Sequence, residues 1–416
     1  MSTDSPWRVP DFRVLITATA LGQLATNTAY VGVPVLAVAA LDAGPGQVGA
    51  LAALSTAAFL LVGLPAGAWV DRIRHRRVLI AADLVRAGTF ATVPFAWWLD
   101  VLSLPHLYAV VLLAGFATVF ADVGAQSALP QLVGRERLIP ANAAIVSLIS
   151  VGNVAGRGAG GGLIQLLTAP IAMACTALGY LASALRLTGL RRAPVRPAPA
   201  VGSPLRAQIR EGVRHVLGNA ELRALALTAA LANVGSQIVN TVLPLIFLSE
   251  LDYSAATLGL FWAAGGTGLL LGARCAGPVA TRLGHGRTLA IAGLCLGPAA
   301  LLVPLVGHGG WLWLAGTGWL LAMFKIGMDN VLGVSLRQRM TPDPLLGRMN
   351  ATFRFLLTGA LAVGAAIAGV LGALTSVRLT AWTGAAVIAL AFLPVFLSPL
   401  RHRRELPEQA ENPVSA

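Results

Sequence analysis

The sequence predicts an all-α integral membrane protein with 12 transmembrane helices, arranged as two parallel six-helix repeats. Three observations carry that expectation: the number of long apolar segments, the sidedness of the positive charge, and an internal repeat. With 56% hydrophobic residues, 11% charged residues and a mean hydropathy of +0.75, the 416-residue chain has too little polar surface for a water-soluble domain. Of the 30 Lys and Arg residues, 24 fall in one set of loops and tails, five lie within the apolar segments, and only Arg378 falls in the opposite set. A bilayer between the two sets explains such a split, because cationic loops are held on the cytoplasmic side.

A spanning helix needs about 20 apolar residues. Twelve segments qualify, at about 13–40, 46–70, 78–99, 104–128, 139–168, 170–190, 222–249, 254–280, 288–307, 311–335, 346–374 and 377–399. Several exceed the minimum, so tilt is expected. The basic side holds Arg8 and Arg13 before the first segment, Arg72, Arg74, Arg76 and Arg77 between the second and third, and Arg135 and Arg137 between the fourth and fifth. It continues with Arg282 and Arg287, then Arg337, Arg339 and Arg348, then Arg401, Arg403 and Arg404. Asp42, Asp100, Glu250 and Asp252 lie opposite. The expected division is an N-terminal half at 1–190, a linker at 191–221, a C-terminal half at 222–400 and a tail at 401–416. The linker combines a Pro-rich stretch with RAQIREGVRHVLGN, which reads as a short amphipathic helix on the membrane surface. The start, MSTDSPWRVPDFR, lacks a short apolar core with a cleavage site and reads as a cytoplasmic tail rather than a signal peptide.

The halves repeat in the same orientation. An offset of 210 superimposes Gly67, Arg72, His75, Arg77 and Leu79 on Gly277, Arg282, His285, Arg287 and Leu289. An offset of 208 superimposes Asn142, Ala143, Gly156 and Gly161 on Asn350, Ala351, Gly364 and Gly369. Parallel six-helix repeats belong to transporters that rock two halves around a central site. The +13 net charge then reflects topology and contact with anionic headgroups, and no basic, aromatic-interleaved patch points to nucleic acid. Cys175, Cys275 and Cys295 fall inside apolar segments and read as small packing residues.

Residues 67–88, GAWVDRIRHRRVLIAADLVRAG, resemble the signature loop between the second and third helices of the major facilitator superfamily. The match rests on Gly67, Asp71, Arg72, Arg76 and Arg77, with Arg74 or His75 where the turn usually has Gly. The resemblance implies a major facilitator fold and a cytoplasmic gate latch, which the acid Asp122 joins by pairing with Arg72 or Arg76 and which Arg282 and Arg287 repeat in the second half. Residues 120–143, 211–231 and 335–355 resemble the efflux branch that includes the enterobactin exporter and macrolide-efflux proteins. GNVAGRGAGGG, residues 152–162, is similar to the fifth-helix motif of exporters in this superfamily, with Arg157 standing where that pattern has Pro. Its Gly152, Gly156, Gly160 and Gly161 present a small surface for close helix approach.

Ionisable residues inside a membrane are costly and therefore point to function. At 1.5 Å per residue Asp122 lies ~8 Å from the basic end of its segment and Arg157 ~20 Å in, so the two are poor partners. Arg157 is read either as an anion receptor facing the cavity or as a residue satisfied by helix carbonyls, Asn153 and Gln165. Lys325 is the sole lysine among 30 cationic residues, and Asp329 follows at i+4. The two form a structural ion pair or one coupled proton site, since lysine can lose its proton on desolvation and arginine cannot. Asp83 with Arg86, Arg274 and Arg354 read as snorkelling or gate residues near the basic end. Gln23, Asn27, Asn233, Gln237 and Asn240 give the first helices of the two halves an uncharged polar lining.

The lone lysine follows Phe324, so no P-loop exists, and the six histidines form no metal pattern. Enzymatic chemistry, a cofactor and a metal are not expected. What remains is a monomeric secondary transporter of a bacterial inner membrane, exporting a small amphipathic or anionic organic compound with protons as the coupling ion. The alternatives are uptake of a small metabolite, or a non-transporting receptor or scaffold of the same fold.

Overall fold

A computed structural model describes residues 5–70, 73–134, 137–190, 205–342 and 345–402. Its helices are α1 (Pro10–Leu41), α2 (Pro45–Val70), α3 (His75–Trp98), α4 (Leu104–Val133), α5 (Leu138–Leu167), α6 (Ala169–Leu187) and α7 (Leu205–Gly218). They continue with α8 (Ala220–Leu245), α9 (Ala255–Leu283), α10 (His285–Leu296), α11 (Gly310–Arg339), α12 (Leu346–Leu374), α13 (Val377–Leu390) and α14 (Leu393–Leu397). Among the described residues 11 helical spans are long and apolar enough to cross a membrane. The 30 residues of α5 give it the length as well, which makes the expected twelve. Three spans are composite. A π-helical turn, Ile246–Glu250, extends α8; a 3-10 segment, Gly297–Leu305, extends α10; and α14 continues α13. Pro298 and Pro304 within the 3-10 segment remove the amide donors an α-helix would use there.

The chain forms two compact units. Unit 1 is Met1–Pro199 with Phe247–Ala263, and unit 2 is Ala200–Ile246 with Ala264–Ala416. In unit 1, α1 packs against α5 and α6, α3 against α4 and α6, and α2 against α4. In unit 2, α8 packs against α12 and α13, and α11 against the 3-10 segment.

The internal repeat is written into the helix starts. α1, α2 and α3 begin at Pro10, Pro45 and His75, and α8, α9 and α10 begin 210 residues later at Ala220, Ala255 and His285. The turns after the first helix of each half also match. Ala43 N donates to Ala37 O at 2.9 Å and Tyr253 N to Phe247 O at 2.7 Å, again 210 residues apart. Between them Asp42 and Asp252 take left-handed φ of 50° and 49°, a conformation that Asp tolerates better than most residues. These aspartates therefore end helices as well as supplying acid to the less basic loops.

The lone cation of those loops also has a local role. Arg378 Nη1 donates to Pro304 O at 3.0 Å and Val306 O at 2.5 Å, satisfying carbonyls that the 3-10 segment leaves open.

The amphipathic linker helix does more than lie on a surface. α7 packs on α12: Val216 is fully buried, Gly212 is buried against the backbone of Arg348 and the hydroxyl of Thr352, and Glu211 pairs with Arg348. His215 Nε2 lies 3.2 Å from Thr341 Oγ1. Cys175 and Cys275 are half-buried and Cys295 is exposed, all three as free thiols.

Candidate functional site

In unit 1 the glycines of α5 create the polar surface of α1 by letting it come close. A Cβ on Gly152 would sit 3.3 Å from Gln23 Cβ, one on Gly156 2.9 Å from Asn27 Cβ, and one on Gly160 3.0 Å from Thr28 Cα. The three glycines share one helix face at i, i+4 and i+8. Gly161 faces elsewhere, toward the start of α9, where its Cβ would lie 2.7 Å from Ala255 O. Asn27 is only 2% exposed and donates to Gln23 O at 2.9 Å, so it is spent at the α1–α5 contact, whereas Gln23 is half-buried.

Arg157, ten residues before the end of α5, takes neither of the satisfactions expected of it from Asn153 or Gln165. Its guanidinium carbon stands 4.2 Å from the ring centroid of Tyr30, and Tyr30 meets Trp262 edge to face at 5.0 Å. The Arg157 Nε and the indole N–H of Trp262 are buried without a hydrogen-bond partner. This cation–π stack leaves the positive charge without a counterion from the described ion pairs.

The basic loop before α3 is held by main chain and neighbours. Arg76 Nη2 donates to Thr188 O at 2.5 Å, past the end of α6, and the rings and amides of His75 and Gln131 meet at 3.1 Å. Arg77 is exposed, as are Arg282 and Arg287 on the corresponding loop of unit 2. Gly67 lies in the last turn of α2, while Asp71 and Arg72 lie outside the described residues. Asp122 differs from expectation in depth. Because α4 runs on to Val133, Asp122 is 11 residues from its end, about 16 Å, and its charge acts on Arg86. Arg86 and Asp83 differ too: far from snorkelling, they are 8% and 3% exposed and paired with each other inside unit 1.

In unit 2, Asn233 and Asn240 of α8 each donate to the carbonyl four residues back, Ala229 and Ser236, at 2.8 Å. Gln237 reaches Thr241 Oγ1 at 3.3 Å, and Asn240 Oδ1 is buried with no donor. All three amides are half-buried. On α11, Lys325 Nζ lies 2.5 Å from Asp329 Oδ2. Lys325 is 1% exposed, among the largest fully buried side chains of the protein. Close packing buries it: a Cβ on Gly268 or Gly272 of α9 would run into the carbonyls of Leu320 or Phe324, and one on Gly327 into that of Leu269. That GxxxG-like contact, in the sequence GGTGLLLG at 265–272, is a small-residue signal the sequence offers but which spacing alone does not assign to a partner helix.

Membrane-spanning helices in a duplicated pattern, with ionisable side chains held inside each unit, define a multi-pass membrane transporter. The Major Facilitator Superfamily family model matches residues 15–328 and 225–415, and the chain belongs to that superfamily, whose members are transporters. Among curated proteins it is similar to the enterobactin exporter EntS of Salmonella typhimurium, 29% identical over 406 residues, covering 96% of this chain and 95% of that one. It is also similar to the uncharacterized MFS-type transporter y4rN of Sinorhizobium fredii, 29% identical over 370 residues, covering 87% and 89%. Among solved structures it shares the fold of the nucleoside transporter NupG, with a TM-score of 0.76 at 12% identity, covering 93% of this chain and 99% of that chain. A bacterial homologue of the iron transporter ferroportin, in an inward-facing state, gives a TM-score of 0.71 at 17% identity, covering 94% and 99%.

Proposed function

We propose that this transporter exports a small amphipathic or anionic organic compound, of the siderophore or natural-product kind, by alternating access driven by protons. The observation that supports export most is the similarity to enterobactin exporters along 96% of this chain. The Arg157–Tyr30–Trp262 stack supports an anionic cargo: a guanidinium held on a ring face keeps its charge and its N–H donors available. Gln23, Asn233, Gln237 and Asn240 are its proposed polar contacts. Lys325 and Asp329 are the proposed coupling pair, because they are the ionisable groups of unit 2 taken furthest from water and can exchange one proton as a single site.

In this reading Gly67, Asp71, Arg72, Arg76, Arg77, Asp122, Arg282 and Arg287 regulate the exchange of states at the cytoplasmic ends of the helices. The protein sits in a bacterial inner membrane as a monomer, with residues 1–190 and 222–400 as the moving halves, 191–221 as the linker and both tails in the cytoplasm. Anionic headgroups accompany the basic loops.

Everted membrane vesicles test direction. An exporter accumulates siderophore or drug inside them when a proton gradient, acid inside, is imposed, and collapse of the gradient releases it. Accumulation only in right-side-out vesicles refutes export. Reporter fusions at positions 194 and 307 test topology, and the same cytoplasmic signal from both refutes it.

A further inference from the structure

Asp83 and Arg86 of α3 are unused by the reading above, and they sit in a hydrogen-bonded polar cluster inside unit 1. Asp83 binds Arg86 through Oδ1, one turn along the same helix. Its other oxygen, Oδ2, lies 2.6 Å from Ser183 Oγ of α6. The Arg86 guanidinium carbon stands 4.4 Å above the ring of Tyr180, also on α6, and the Tyr180 hydroxyl meets Thr26 Oγ1 of α1 at 2.9 Å. Thr26 gives its own hydrogen to Gly22 O at 2.8 Å, so Tyr180 is the donor of that pair. From α4, Asp122 acts on Arg86 through its charge. Asp122 and Arg86 each lie 11 residues from the ends of their helices that face the basic loops, which puts them at equal depth, about 16 Å.

Two features distinguish this cluster from a passive staple. The first is its charge. Asp83 pairs with the Arg86 guanidinium and the charge of Asp122 also acts on it, so the three groups sum to −1 when all are ionised and to zero when one proton is bound. Tyr180 is the remaining titratable group facing Arg86 from α6, and α1 contributes only the Thr26 hydroxyl.

The second is Ser183. Its hydroxyl has a single hydrogen but two acceptors in reach, Asp83 Oδ2 at 2.6 Å and the main-chain carbonyl of Ala18 on α1 at 3.0 Å. With Asp83 ionised, the hydrogen belongs to the carboxylate. With Asp83 protonated at Oδ2, the new O–H donates to Ser183 Oγ and the serine turns its hydrogen to Ala18 O. In either state the Asp83 carboxyl and the Ser183 hydroxyl keep a hydrogen-bond partner, which is the condition for a buried group to titrate without unfolding its surroundings.

We propose that Asp83 is a proton-binding site of unit 1, with Ser183 as the switch that passes its occupancy to α1 and α6. The proton is taken from water onto Asp83 Oδ2, and no bond to carbon changes. Arg86 stays charged, and its field is then balanced by Asp122 and the Tyr180 ring. Occupancy reverses the hydrogen bond at the α3–α6 contact and directs the serine hydrogen to the α1–α6 contact, so it alters how α1 and α6 are held together. The inference rests on the proton-driven part of the proposed function, but its test needs no transport.

The test is proton binding by the purified full chain without cargo, followed as the infrared carbonyl band of a protonated buried carboxyl between about pH 9 and about pH 4. The band is expected in the wild type and in Asp329→Asn, and lost in Asp83→Asn/Asp329→Asn, where no contribution from the Lys325–Asp329 pair remains. Ser183→Ala removes the hydroxyl that both protonation states of Asp83 use and is expected to move the midpoint of the band. A purely structural serine would change thermal stability and leave that midpoint in place. A band that persists in Asp83→Asn/Asp329→Asn, or a midpoint unmoved by Ser183→Ala, overturns the proposal. Should Asp83→Asn fail to fold, the Ser183→Ala midpoint decides alone. Failure of the vesicle experiment with the band intact would sink proton-driven export and leave the site standing.

Discussion

Breaking the Lys325–Asp329 pair on one side should be worse than removing both charges, and the structure sets the order of the variants. Lys325 is 1% exposed and its side chain 2%, while the Asp329 side chain keeps 13%. Removing one member of a buried pair leaves an uncompensated ion and costs about 3–5 kcal/mol, whereas replacing both by apolar groups of similar volume is close to neutral. Asp329→Leu strands an ammonium with almost no access to water, and its loss should fall near the top of that range. Lys325→Met strands a carboxylate that retains some hydration, so its loss should fall near the bottom. The double variant Lys325→Met/Asp329→Leu should recover to within about 1 kcal/mol of the wild type. Unfolding of the purified protein in lipid gives the three values, and vesicle transport gives the function. If the pair carries the proton, the double variant is stable yet loses gradient-driven transport. If the pair is structural, the double variant recovers both. Wild-type behaviour of Lys325→Met in both assays would refute either role.

Other expectations follow from local geometry. Gly160→Leu should destabilise unit 1 by about 1–3 kcal/mol, since a Cβ there meets the α1 backbone at 3.0 Å, while Gly162→Ala two residues on has open space and should lie within about 0.5 kcal/mol of wild type. Thermal denaturation of the two variants side by side checks this. Arg157→Gln should weaken binding of an anionic cargo about tenfold and leave a neutral one unaffected, measured through quenching of the Trp262 region; equal losses for both cargoes would show that the residue shapes the site rather than reads charge. Burial pushes the His215 imidazole below its ordinary value of 6.5, so the docked α7 favours the neutral ring. Between the two values the released helix binds more protons, and docking weakens as pH falls through about 6.5 toward the lowered value. The protection factor of the α7 amides, with the intrinsic pH dependence of exchange divided out, should therefore fall on acidification in the wild type and become flat with pH in His215→Gln.

The architecture was legible because a bilayer makes a sequence announce itself. Apolar length and the side taken by arginine are global constraints, satisfied by summing over many residues, so errors of a few positions cancel. Local endings were less legible, and one of them mattered. The fourth segment reads as ending near 128, before Pro130, yet α4 continues to Val133, because a membrane helix tolerates proline where neighbours re-satisfy its backbone. Five residues of extra helix shift Asp122 from the rim to the depth of Arg86. The repeat was readable at 210 from a handful of residues around the basic loop, and the helix starts and the paired Asp42 and Asp252 turns follow the same offset.

Within the candidate sites, legibility depended on whether partners share a helix. Lys325 and Asp329 are four residues apart and one face of α11 suffices to pair them. Asp83 and Arg86 were equally visible as an i, i+3 couple, but what distinguishes them from a surface couple is supplied by Tyr180 and Ser183, a hundred residues away on α6. Those two are themselves three apart and so face α3 together, a spacing that carries no charge and hence no signal in a hydropathy reading. Arg157 shows the same limit, since its ring partner Tyr30 belongs to α1 and the ring's own neighbour Trp262 to α9. A buried charge in a membrane helix is therefore recognisable from sequence as an expense, but the neutral groups that offset it are not. Those neutral groups decide whether the charge is fixed, as a stacked arginine is, or free to exchange a proton, as a carboxylate beside a two-acceptor serine is.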